Sequence, residues 1–117
     1  PQVVALFEGA GERAPGIALR GHFHNTRNTA LANIAAAIGA GVRVFDSSLG
    51  GVGGCPFAPQ ATGNVATEDV VYLAHEMGYD TGLDLDALIA TTAWLETQLG
   101  HGVPSLVAKA GGFPDPR

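Results

Sequence analysis

Apolar positions in this chain recur in two rhythms. Val3, Val4, Ala5, Leu6 and Phe7 make the opening Gln2–Glu8 stretch apolar, and it reads as the end of a helix. Turn residues over 9–16 lead into IALRGHFH (17–24), a strand pattern. From about Asn28 to Ile38 the period lengthens. Leu31, Ile34, Ala35 and Ile38 fall at i, i+3, i+4 and i+7, one stripe of a helix closed by Gly39 and Gly41. Val42–Asp46 (VRVFD) is a second strand. Residues 47–66 show neither rhythm and read as one long loop, which in a compact domain is usually functional. Thr67 is the expected N-cap of a helix with Glu68 and Asp69 at its positive end, Val70, Leu73, Ala74 and Met77 on its buried face and Gly78 as its stop. A last helix covers about Asp84 to Leu99, with Leu85, Leu88, Ile89, Leu95 and Leu99 on one side and Gly100 at its end. The Gly- and Pro-rich stretch 101–117 reads as irregular.

The order is α-β-α-β-α-α, an α/β pattern in which two strands joined through a helix pair in parallel by a right-handed crossover. Both strands are expected to be covered by helices. Two strands alone leave open edges and a thin core, so the expectation is a piece of a larger α/β protein, or closure by self-association. The abrupt start at Pro1 and the lack of an initiating Met point the same way.

Composition narrows the class. Of 117 residues, 46% are hydrophobic and 15% charged, and the net charge is −5, which excludes a disordered tail and argues against nucleic acid as a partner. No apolar run approaches the roughly 20 residues of a membrane helix, and no signal-peptide pattern opens the chain. The single cysteine, Cys55, excludes an internal disulfide and makes a cytoplasmic setting the expectation. Glycine numbers 17, about twice its usual share of roughly 7%. Gly50, Gly51, Gly53 and Gly54 crowd directly before Cys55, marking a backbone that adopts unusual conformations or approaches something closely.

Three groups can carry chemistry. His22 and His24 lie at i and i+2 of a strand, so their side chains share a face at its C-terminal end, where α/β folds place their sites. Two imidazoles so placed suit a metal ion, and equally a pair of hydrogen-bonded core histidines. Cys55, after four glycines and before Pro56, is placed as an exposed thiol able to act as acid or nucleophile, against the ordinary reading of a lone cysteine as packing. No Lys-Ser/Thr follows the glycines, which disfavours a Walker-type phosphate cradle. Asn64, after Gly63, is either a turn residue or an amide oxygen for a hard cation, and turn chemistry alone favours the first. His75, His101, Trp94, Arg20, Arg27 and Arg43 read as surface or packing residues.

The motif GGVGGCPFA (50–58) followed by GNVATED (63–69), with HFHN (22–25) and ALAN (30–33) upstream, resembles the C-terminal part of the 3-hydroxy-3-methylglutaryl-CoA lyase family, especially its bacterial branch. The likeness runs from the first strand to Val107-Ala108-Lys109-Ala110-Gly111. It implies the C-terminal part of a (β/α)8 barrel, with residues 1–117 as one partial domain holding about two βα units, the seventh and eighth strands, and a helical extension. It further implies that His22, His24 and Asn64 are ligands of Mg²⁺ or Mn²⁺. Cys55 becomes the catalytic acid on a mobile glycine loop that closes over an acyl-CoA substrate. The implied reaction cleaves a carbon–carbon bond to give acetyl-CoA and a keto acid, acetoacetate for the family's named substrate, a step of leucine or ketone-body metabolism. A homo-oligomer, such as a dimer, is the expected assembly.

The family also takes an adjacent Arg and Asp from an early strand, and no such pair is found here. The isolated 117 residues are therefore expected to be inactive. Asn25-Thr26-Arg27-Asn28 departs from the eukaryotic enzymes and leaves room for a different 3-hydroxyacyl-CoA. Two other readings compete. A condensing synthase of the isopropylmalate or homocitrate kind shares the HxHN site but usually lacks the glycine–cysteine loop. A non-catalytic half-barrel assembly module is the alternative outside enzymes.

Overall fold

A computed structural model describes residues 2–54 and 63–113. Its elements are α1 (Gln2–Arg13), β1 (Arg20–His22), α2 (Ala30–Gly39), β2 (Val44–Asp46), a single 3-10 turn (Leu49–Gly51), α3 (Thr67–Glu76), α4 (Leu85–Leu99) and α5 (Leu106–Ala110). The two strands pair in parallel, with Arg20 opposite Val44, Gly21 opposite Phe45 and His22 opposite Asp46. The α/β order and the parallel crossover through a helix are those expected.

The sheet has two unlike faces because strand side chains alternate. Phe23 and Phe45 face α2 and pack against Ala30, Ile34, Ile38 and Val65, joined by Leu31, Val70 and Leu73. Gly21 lies between the two rings, where a Cβ would stand 2.8 Å from Phe45 and 2.9 Å from Phe23. The opposite face carries Arg20, His22 and Asp46. The stripe on α2 therefore holds the sheet from one side and leaves the other for polar groups. Ile34 is fully buried, a burial worth about 1.5–3 kcal/mol.

Several elements differ from expectation. α1 continues past Glu8 to Arg13, because Ala10, Glu12 and Arg13 sustain the helix through two glycines that each cost only about 1 kcal/mol. The strand expected over 17–24 is three residues long. Its last residues bond instead to the returning segment: Val65 N donates to Phe23 O at 3.2 Å, and Asn25 N to Gly63 O at 3.1 Å. The described residues of the loop 47–66 contain the 3-10 turn and bridges at Ser48–Ala66 and His24–Asn64.

Thr67 is not the N-cap of α3. Ala66 occupies that position without a side-chain cap, and Thr67 Oγ1 bonds Ser47 Oγ at 2.8 Å. Met77, at the C-terminal end of α3, is 39% exposed, while Val71 takes the buried position instead. On α4, Asp84 caps the start through Ala87 N at 3.0 Å, and Gly100 closes the end with a positive φ. The tail is not wholly irregular. Ser105 Oγ accepts from Ala108 N at 3.1 Å and starts α5. No helix among the described residues is long and apolar enough to cross a membrane.

Candidate metal and catalytic site at the strand ends

β1 delivers His22 at its last residue, and His24 follows on the same face. Their ring centroids are 5.2 Å apart, with the planes at 66°. Asn64 arrives from a distant part of the chain through the antiparallel bridge to His24. Three of the four residues singled out from the sequence thus share one corner of the fold. The fourth, Cys55, lies outside the described residues.

The turn that brings Asn64 in depends on Gly63. Its φ is +102°, and a Cβ there would stand 2.1 Å from Gly53 O and 2.8 Å from Gly51 O. Both obstacles are backbone, so only glycine fits. Asn64 is consequently a bridge residue as well as a candidate donor. Its Nδ2 donates to Val52 O at 3.2 Å, and among the described residues no hydrogen bond engages its side-chain oxygen.

Asp46 was missed in the sequence. It stands at the end of β2, opposite His22 in the parallel register. One carboxylate oxygen meets His22 Nδ1, and the other lies 3.5 Å from Arg20 Nε. The signal was a charged residue closing an otherwise apolar strand.

Glu68 and Asp69 lie in the first turn of α3, at its positive end as expected, and they are also buried, 0% and 7% exposed. Glu68 receives Gly50 N on both oxygens, at 3.0 and 3.1 Å, and the Thr92 hydroxyl. Burial pushes its carboxyl above the ordinary value, more than the hydrogen bond from Gly50 lowers it. Asp69 accepts from Ser105 Oγ at 3.0 Å and Val107 N at 2.8 Å. The two acids therefore fasten the glycine turn to α4 and hold α5 in place. Arg43 is structural too. Its Nη1 donates to Ile38 O at 2.7 Å and Val42 O at 2.9 Å, closing the end of α2.

Among the described residues, no group of three or more His, Cys, Asp or Glu side chains is placed to hold a metal ion. The donor set on offer is two imidazoles and one amide oxygen, a mixed nitrogen and oxygen chemistry that several divalent ions accept. The His22 side chain is 58% exposed, so the corner is open to further donors.

The family model HMGL-like matches residues 2–95. The chain belongs to the HMGL-like family. (R)-citramalyl-CoA lyase of Chloroflexus aurantiacus is 53% identical to this HMGL-like chain over 110 residues, covering 94% of it and 35% of that enzyme. Hydroxymethylglutaryl-CoA lyase of Pseudomonas mevalonii is 50% identical over 99 residues, 85% of this chain and 33% of that one. The structure of an HMG-CoA lyase from Acinetobacter baumannii, in complex with coenzyme A and 3-methylmalate, superposes with a TM-score of 0.91 at 46% identity, over 99% of this chain and 38% of that one. The chain thus spans about a third of the length of the curated relatives it matches. Its two parallel strands and surrounding helices are a fragment of the family's barrel, as the resemblance implied.

Proposed function

We propose that this chain carries the metal-binding end of a carbon–carbon lyase that cleaves a 3-hydroxyacyl-CoA into acetyl-CoA and a keto acid, and that residues 1–117 form one partial barrel domain of it. The observation that carries this reading is the convergence of His22, His24 and Asn64 at the C-terminal ends of two parallel strands, in a chain 50% identical to a hydroxymethylglutaryl-CoA lyase. His22 and His24 would each offer one ring nitrogen, and Asn64 its carbonyl oxygen, to a divalent cation, Mg²⁺ or Mn²⁺. When bound, that cation supplies a Lewis acid for the substrate's 3-hydroxyl.

The rest of the chemistry belongs to side chains. Cleavage sends the electron pair of the broken bond into a thioester enolate, while the hydroxyl carbon becomes the carbonyl of the keto acid. The enolate carbon then needs a proton, and Cys55, on the glycine-rich segment, is the proposed donor. Gly50 is anchored by Glu68, which gives that segment a fixed root. The base that takes the hydroxyl proton is not among the residues assigned here, so the work is proposed for the intact protein, in the cytoplasm, as a homo-oligomer.

The substrate is either a 3-hydroxy-3-methylglutaryl-CoA-like thioester or (R)-citramalyl-CoA, the second favoured by the 53% identity to the Chloroflexus lyase. Both carry a tertiary hydroxyl β to the thioester, so one site chemistry serves either. The test is a product assay on the intact protein with each thioester. Acetyl-CoA with acetoacetate identifies the first substrate, and acetyl-CoA with pyruvate the second. Absence of acetyl-CoA from both, in the presence of Mg²⁺ or Mn²⁺, contradicts the proposal.

A further inference from the structure

We propose that Asp46 is the positioning residue that fixes the tautomer of His22 and so decides which of its nitrogens faces the cation. The inference rests on the reading of His22 as a ligand, and adds to it a partner that the sequence did not disclose. The argument begins from hydrogen-bond inventory. An ionised carboxylate only accepts, and a neutral imidazole carries one N–H and one bare nitrogen. Asp46 Oδ1 lies against His22 Nδ1, so the proton belongs on Nδ1 and the lone pair on Nε2.

The backbone enforces this pairing. His22 and Asp46 are register partners in the parallel ladder, so their side chains leave the sheet side by side on the same face. Arg20, two residues before His22 on that face, places its Nε 3.5 Å from Asp46 Oδ2 and occupies the carboxylate's other oxygen. The carboxylate is thereby oriented from both sides. A histidine whose second nitrogen is held by a carboxylate is the usual supporting arrangement around a metal ligand, because it raises the basicity of the free nitrogen and stops the ring from turning. His24 stands edge-on to the His22 ring, with centroids 5.2 Å apart, on the same side of the sheet.

The geometry also says why the smallest change should be damaging. In Asp46→Asn, the guanidinium of Arg20 calls for the amide's oxygen, which turns the NH2 group toward His22 Nδ1. A donor there forces the proton of His22 onto Nε2, the nitrogen the cation needs bare. Asp46→Ala removes the acceptor without presenting a competing donor, and should fall between wild type and Asp46→Asn. The Asp46 side chain is 40% exposed, so neither change empties a core.

The test uses the intact protein, with Mn²⁺ as the probe. Nitrogen-15 chemical shifts of labelled histidine, recorded without metal, report the tautomer of His22, and electron paramagnetic resonance of free Mn²⁺ reports affinity. The expected result is an Nδ1–H tautomer in wild type, an Nε2–H tautomer in Asp46→Asn, and a loss of Mn²⁺ affinity of about 10- to 100-fold in that variant. An Nε2–H tautomer in wild type, or Mn²⁺ affinity in Asp46→Asn within about two-fold of wild type, overturns the inference. His22→Ala separates the two levels of the argument. If it binds Mn²⁺ as wild type does, the cation reading falls and this inference with it. If it loses Mn²⁺ while Asp46→Asn keeps it, only the role of Asp46 falls.

Discussion

Replacing Gly63 with alanine should cost this protein both stability and its site. The backbone there has φ +102°, and the added Cβ would lie 2.1 Å from Gly53 O, against an ordinary contact of at least 3.4 Å. A gap of that size cannot be closed by turning a side chain, because the obstacle is a carbonyl oxygen. Backbone strain contributes about 1–3 kcal/mol. Displacing the segment also breaks the buried bond from Asn25 N to Gly63 O and strains the one from Val65 N to Phe23 O, a further loss of about 1–3 kcal/mol. Together these give a destabilisation of about 2–6 kcal/mol. The measurement is urea unfolding of wild type and Gly63→Ala, read beside hydrogen exchange at the amides of Asn25 and Val65. Both amides should exchange faster in the variant. A difference below about 0.5 kcal/mol, within the range of harmless surface changes, with both amides still protected, would refute the close approach on which the placement of Asn64 rests.

Two other acids invite tests. Glu68 has a carboxyl raised by burial above its ordinary 4.5, so the folded state binds that proton more tightly than the unfolded state. Its contribution to stability is therefore full below about 4.5 and is lost as pH rises through the raised folded value. The difference in urea midpoint between wild type and Glu68→Gln, followed from about pH 4 to 8, should shift in favour of the variant as pH rises; a difference that stays flat contradicts the assignment. Asp69→Ala removes the acceptor for Ser105 Oγ and Val107 N. It should cost about 1–3 kcal/mol and release the amide of Val107 to exchange, and unchanged protection there would show that α5 is held by other means.

The pair His22 and His24 was legible because a strand has a period of two, so i and i+2 share a face whatever lies around them. The stripe on α2 was legible for the same kind of reason. Asn64 was legible from the residues alone only as the less favoured of two readings, since its place depends on a bridge to a residue forty positions earlier, and the family resemblance tipped the balance toward a ligand. Asp46 escaped notice because register between two parallel strands is a tertiary fact; a strand of the form VRVFD gives an end, not a partner. Glu68 and Asp69 were placed at a helix start, as the structure has them, but their burial was not legible, for a plainer reason. Acids at a helix start are favourable in water, and nothing local distinguishes that from acids that accept from Gly50, Thr92, Ser105 and Val107. The short helix α5 did leave a trace, a serine followed by Leu-Val-Ala-Lys-Ala, which the surrounding glycines and prolines obscured.

The most direct measurement is an anomalous-scattering experiment on crystals of the intact protein soaked in Mn²⁺. The account places the peak within about 2.0–2.3 Å of a ring nitrogen of His22, a ring nitrogen of His24 and the side-chain oxygen of Asn64. A peak elsewhere, or one that excludes any of those three residues, contradicts it.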